Sequence, residues 1–147
     1  MSTASTAGLI FETKHWRVTL SEKQTYLGRC VVDLIGSAGS LSELSEVEWQ
    51  DFAAVVKKLE SAITKAFGPR LFNWSCLLNN AFKSAHPQPH VHWHCRPRYN
   101  LPVEVLETVF LDPDFGHHYN RVREAGHPSV KPPLAKEIIH LVQQQLT

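Results

Sequence analysis

Long apolar runs are missing from this 147-residue chain: none approaches the ~20 residues that cross a bilayer, so a membrane-spanning helix is not expected. Charge of one sign is missing too. Fifteen Lys and Arg stand against 14 Asp and Glu, a formal +1, without the basic excess of a protein that tracks a nucleic-acid backbone. Cysteine is sparse: Cys30, Cys76 and Cys95 are an odd number at wide spacing with no CxxC pair, which argues against a disulfide framework and for reduced packing thiols in a cytoplasmic protein. No internal repeat or low-complexity tract is visible, and "MSTASTAG" has neither the charged nor the apolar region of a secretory signal, so residues 1–8 are expected to be a disordered leader. What remains, residues 9–147 of a chain that is 43% hydrophobic, suffices for one domain with its own core.

The pattern along that domain alternates between strand and helix signals. "GLIFET", "HWRVTLS" and "YLGRCVVDLIG" are β-rich runs that read as an antiparallel meander. The period then changes: Phe52, Val55, Val56, Leu59, Ile63 and Phe67 form one helical stripe, opened by a Ser45/Glu48 capping box and closed by Gly68-Pro69. Two further strands, "LFNWSCLL" and "HVHWHCRPR", are joined by the polar loop "NNAFKSAHPQP". Residues beyond Tyr99 mix apolar pieces with Pro, Gly and His and read as irregular covering structure, until "PLAKEIIHLVQQQL" sets Leu134, Ile138, Leu141 and Val142 on a C-terminal helix face. The expected class is α+β, with an antiparallel sheet of about five strands, one long helix and a C-terminal helix.

Four of the nine histidines fall in "HPQPHVHWH", and His90, His92 and His94 alternate strictly. On a strand such residues share one face, while Val91, Trp93 and Cys95 share the other and can anchor it in a core. Residues two apart rise roughly 6.6 Å, so His90 and His94 lie on the order of 13 Å apart. Zinc gathers its nitrogens at about 2.1 Å, which two neighbours of such a row can manage but three cannot, so a metal centre here would be a two-histidine site in need of other ligands. A phosphate-sized anion suffers no such limit: its spread oxygens can accept from the outer imidazoles while the central one faces phosphorus. The spacing favours the anion and no protein-bound metal. His117, His118, His127 and His140 match no zinc pattern and read as surface or structural groups.

"HVHWHCRPR" resembles the signature of the histidine triad (HIT) family, His-φ-His-φ-His-φ-φ with φ apolar, and "YLGR" and "LSELSEVEW" resemble that family's entry to a strand and its usual helix start. Arg96 departs from the signature at the last φ position, and His86 and Pro87 stand where many members carry Gln and then Ser or Thr. The resemblance implies a homodimer that binds nucleotides and cleaves a nucleoside 5′-phosphoryl bond, in a dinucleoside polyphosphate such as diadenosine tetraphosphate or in a nucleoside phosphoramidate. It implies His92 as the nucleophile that forms a nucleotidyl-histidine, His90 and His94 as donors to the phosphate oxygens, and Asn79 as a phosphate or ribose contact. His86 is a candidate proton donor to the leaving group, Arg29 of "YLGR" a substrate contact, and Phe11 and Trp16 candidates for an apolar base pocket. Arg98 reads as a structural or dimer ion-pair partner and Trp93 as core. No cofactor is expected at the protein site, although Mg²⁺ can accompany a polyphosphate. Two other classes stay open: a nucleotide-sensing dimer that turns over slowly, and a metal-dependent enzyme built on a His-x-His strand site.

Overall fold

The computed structural model describes residues 8–147, so the leader expected over residues 1–8 lies, except for Gly8, outside the described residues. The meander forms as β1 (Leu9–Glu12), β2 (Trp16–Leu20) and β3 (Cys30–Leu34); α1 (Glu46–Phe67) follows, then β4 (Leu71–Ser75) and β5 (His92–Arg98). These strands make one sheet of order β1-β2-β3-β5-β4 with antiparallel neighbours throughout. A hairpin of β6 (Val103–Val105) and β7 (Thr108–Phe110), the short α2 (Arg121–Gly126) and α3 (Pro132–Gln143) complete the α+β fold.

Local chemistry accounts for the long helix. The Ser45 side chain accepts from Glu48 N–H at 3.2 Å while Glu48 Oε1 accepts from Ser45 N–H at 2.8 Å, a complete capping box, and Gly68 ends the helix at φ 74°, where a side chain would be strained. Val55, Leu59, Ala62, Ile63 and Phe67 are buried, and α3 packs beside α1 and β1 through Ile138 and Val142. Phe52 wedges between three indoles: its ring stacks on Trp93 at 4.8 Å and lies 5.0 Å from Trp16 and 5.7 Å from Trp74. Trp93 is therefore core, as expected. Cys30 and Cys95 are free and buried; burial pushes the Cys30 thiol up to about 12 and Cys95 upward as well, which keeps both protonated. Among the described residues no helix is long and apolar enough to cross a membrane.

The core occupies one face of the sheet, and strand register decides what the other face carries. Asp33 pairs with His92, Val31 with His94, Ser75 with His94 and Asn73 with Arg96, so these side chains share the face turned away from α1. The alternating row of "HVHWHCRPR" thus runs on as His92, His94, Arg96, Arg98. Its arginine end is roofed by residues 103–127. Arg98 Nε donates to Asp112 Oδ2 at 2.7 Å, Arg96 Nε and Nη2 donate to Glu124 at 2.6 and 3.0 Å, and the Arg96 guanidinium lies 3.9 Å over the Tyr119 ring. Arg98 is accordingly a structural ion-pair partner, and the segment expected to be irregular cover is a cover that contains a hairpin. That hairpin turns through Leu106 and Glu107 at φ 47° and 66°, a primed two-residue turn made without glycine.

The histidine strand starts two residues later than its pattern suggests. Regular pairing begins at His92, because beyond it Val91 N–H turns to Ala38 O (2.9 Å) and the "HPQP" run preceding it holds two prolines that lack donors. The buried arginines also set a stability hierarchy. Removing one partner of a buried pair leaves the other charge without its counter-ion, so Arg98→Leu, which leaves Asp112, at 1% side-chain exposure, with only the Tyr99 and Asp114 backbone N–H donors, is expected to cost about 3–5 kcal/mol in urea unfolding. Ser45→Ala, at the helix cap, is expected to cost only about 1 kcal/mol.

Candidate active site

His90, His92 and His94 open onto a pocket of about 150 Å³ on the face away from α1. Its far wall is the exit of β4, where Leu78 adopts φ 60°, a left-handed conformation unusual for leucine, and turns Asn79 and Asn80 toward the histidines. Arg29 enters from the turn before β3, Arg96 from β5 and Arg121 from α2. A larger cavity, about 630 Å³, lies along edge strand β4 between Leu71 and Tyr119 and includes none of the three histidines.

Hydrogen bonds assign the two leading imidazoles their protons. His92 Nδ1 lies 2.8 Å from His90 O, and since a carbonyl can only accept, Nδ1 carries a proton; in the neutral ring the lone pair is therefore on Nε2, and the residue lines the pocket. His90 Nε2 lies 2.8 Å from Leu34 O and is likewise the protonated nitrogen. This revises the expectation for His90: its ring donor is held by the backbone of β3, and its carbonyl, rather than its ring, serves His92. The His92 and His94 rings meet edge to face at 5.3 Å.

Electrostatics sharpen at the other end of the row. Glu124 lies 2.6 Å from Arg96 and 3.6 Å from both Arg29 and Arg121, so one carboxylate faces three guanidinium groups and two positive charges remain in excess. Burial, reinforced by Arg29 and Arg96, pushes His94 down to about 4 and keeps it neutral near pH 7. Burial first, then Arg96, lowers Arg29 as well. Arg29 Nε and His94 Nδ1 are both buried without a hydrogen-bond partner, which costs roughly 1–3 kcal/mol for each group; Arg29 Nε–H lacks an acceptor, and His94 Nδ1 lacks a partner in either tautomer.

The pocket gathers five of the residues expected from the sequence, His90, His92, His94, Asn79 and Arg29, and excludes three. His86 is an exposed loop residue whose N–H donates to Ser84 Oγ, and it does not line the pocket. Phe11 and Trp16 lie on the wrong face. Phe11 pairs with Val18, Val18 with Val32 and Val32 with Trp93, a row that points into the core; Trp16 is 0% exposed and donates Nε1–H to Glu48 O, and Phe11 lies under the Lys58 ammonium. Arg96 and Arg121 were not anticipated as pocket residues. Arg96 was within reach of the period-2 rule, as the next member of the row after His94. Arg121 comes from a segment without periodicity, and nothing local marks it. Among the described residues, no group of three or more His, Cys, Asp and Glu is arranged to hold a metal ion.

The depressed His94 predicts an acid-sensitive contribution to stability. Its folded value lies below the ordinary 6.5, so the folded state resists protonation; the contribution is complete above about pH 6.5 and is lost progressively as pH falls toward about 4. Urea midpoints measured from pH 7 to pH 4 are expected to fall less steeply for His94→Gln than for the unchanged protein; equal slopes would assign the acid sensitivity to other groups.

No protein-family model and no curated protein matches the sequence. Solved structures do match the fold. A histidine triad (HIT) protein from Sinorhizobium meliloti superimposes with a TM-score of 0.70 at 12% identity, covering 94% of this chain and 88% of that one. A hypothetical histidine triad nucleotide-binding protein from Sulfolobus tokodaii gives 0.69 at 13% identity, covering 94% and 82%. The diadenosine triphosphate hydrolase of Plasmodium falciparum gives 0.63 at 12% identity, covering 96% and 77%. The chain therefore has the fold of the histidine triad proteins, with His90, His92 and His94 brought to one pocket on it.

Proposed function

We propose that this protein is a nucleotide-binding hydrolase in which His92 attacks the α-phosphorus of a dinucleoside polyphosphate or nucleoside phosphoramidate. The observation that carries this reading is the single bond from His92 Nδ1–H to His90 O, which orients the ring and makes Nε2 the nucleophilic nitrogen of its unprotonated form, beside an excess of cationic charge. Attack forms the Nε2–phosphorus bond and breaks the bond from phosphorus to the leaving group, which takes the electron pair. Water then cleaves the nucleotidyl-histidine and releases the nucleoside monophosphate. The neutral His94 ring donates to a non-bridging oxygen whose charge grows in the transition state, and the Asn79 amide orients a second phosphate or ribose oxygen. His90 acts on His92 as a positioning residue. None of these steps calls for a protein-bound metal; Mg²⁺ enters, if at all, with a polyphosphate substrate.

The proposal extends to a homodimer in the cytoplasm. In the single chain β4 pairs only with β5, so its outer backbone edge is open, with Leu71 41% exposed on it and the 630 Å³ cavity alongside. A second copy is the partner this reading assigns to that edge, which sedimentation can check. Free thiols at Cys30, Cys76 and Cys95 fit a reducing compartment.

A substrate radiolabelled at the α-phosphorus separates catalysis from mere binding. The unchanged protein is expected to acquire acid-labile label, and His92→Asn is expected to lose the label and at least ~10⁴ in turnover while still binding AMP, because the nucleophile itself is gone. His90→Asn keeps the backbone carbonyl that orients His92 and is expected to lose no more than ~10² in kcat. Binding of AMP without label or turnover in any form would make the protein a nucleotide sensor; label that persists in His92→Asn would place the covalent bond on another residue.

A further inference from the structure

We infer that Arg29 and Arg121, with Arg96 behind them, form a second anion subsite in the histidine pocket that receives phosphates beyond the α-phosphate, so that the leaving group is itself a phosphate chain. This deepens the nucleotide reading above and rests on it for the identity of the α-phosphate. Arg96 stands at a position that the triad signature keeps apolar, yet the chain buries this cation and supplies Glu124 to hold it. Glu124 is committed to Arg96: it takes a bond from Arg96 on each oxygen and stands 3.6 Å from both Arg29 and Arg121, in ion-pair range but beyond hydrogen-bond length. Arg29 keeps 13% of its side chain accessible and a buried Nε without a partner, and Arg121 is 57% accessible at the pocket wall. The two guanidinium groups left in excess, Arg29 and Arg121, therefore line the same pocket as the histidines, beside Arg96, which stands two strand positions or roughly 6.6 Å past His94 on β5.

Proton balance favours the same leaving group. A departing amine needs a proton, and the pocket lining holds no carboxyl, ammonium, phenol or thiol; His90 spends its Nε2–H on Leu34 O, His94 is pushed down to about 4, and His86 lies outside. A departing phosphate chain leaves as an oxyanion with the electron pair of the broken phosphorus–oxygen bond and needs only cationic neutralisation, which guanidinium groups supply through paired donors.

Titration calorimetry of the full chain with AMP and with inorganic tripolyphosphate tests the subsite. Arg121 is exposed on a short surface helix, so R121Q and the charge-reversed R121E are expected to fold. Tripolyphosphate affinity is expected to fall about tenfold in R121Q and further in R121E, the scale of one charge-assisted contact, and at least fivefold more than AMP affinity does. Equal weakening of both ligands, or tripolyphosphate binding indifferent to both variants, would overturn the subsite while leaving nucleotide binding intact. Conversely, tripolyphosphate binding that depends on Arg121 in a protein that binds no AMP would support the cation subsite and sink the nucleotide reading on which its assignment to a leaving group rests.

Discussion

The strand β5 has to satisfy two solvents at once, and the rest of the molecule is arranged around that requirement. One of its faces, Trp93 and Cys95, continued by Val91 just before the strand, is turned into the core against α1, where Phe52 stacks on the partly buried Trp93. This burial fixes the strand's rotation, because a slip of one residue would carry the histidines into the core and the indole into the pocket. The opposite face is then free to carry groups that no hydrophobic core would tolerate, and it carries imidazoles at one end and guanidinium groups at the other. The division of the strand into an anchoring face and a chemical face precedes any particular chemistry.

The arginine half of the row explains the C-terminal third of the chain. Two guanidinium groups on a sheet face are costly to cover unless each meets a carboxylate, and the segment after Tyr99 delivers Asp112 to Arg98 and Glu124 to Arg96. Aromatic contacts assist, with Tyr119 beneath Arg96 and Tyr26 beside Arg98. The roof is thus fastened by these ion pairs together with the apolar packing of Val103, Val105 and Phe110. Its placement also closes the pocket at one end and brings Arg121 to the rim, while His94 is kept neutral by its burial first and by the neighbouring Arg29 and Arg96 second. Structure and electrostatics of the site are consequences of the same few ion pairs.

Small backbone features complete the arrangement. The His92 tautomer depends on a carbonyl two residues earlier, and that carbonyl is aimed by the departure of the chain from regular pairing just before β5. Gly28, at φ 85°, lets the turn before β3 pass close to Ile63 and Pro97, which a Cβ would meet at 3.4 Å, and so sets Arg29 at the pocket. Leu78 takes a left-handed conformation on the other side to turn the asparagines inward. Each of these residues acts on the site through the backbone, without touching the reacting atoms.

Sequence alone determined the five strands of the main sheet, the two longer helices and the row, but not the hairpin and short helix after Tyr99. Helical period with its capping box marked α1, period-2 alternation marked the histidine strand and its buried face, and the spacing of His90, His92 and His94 favoured an anion over a shared metal, because these are local regularities that geometry converts directly into faces. Tertiary structure decided everything that needed register or a distant partner. Trp16 and Phe11 carry the right chemistry for a base pocket but pair into the core row; His86 is near in sequence yet outside the pocket; Arg121 is 27 positions beyond His94 and reaches the site because distant partners hold its helix, Arg96 through Glu124 and Tyr26 through the Asn120 N–H. Periodicity reports which residues share a face of one strand. Which faces meet, and which charges end up buried together, depends on how strands pair and what covers them, and that information is carried by no short stretch of the chain.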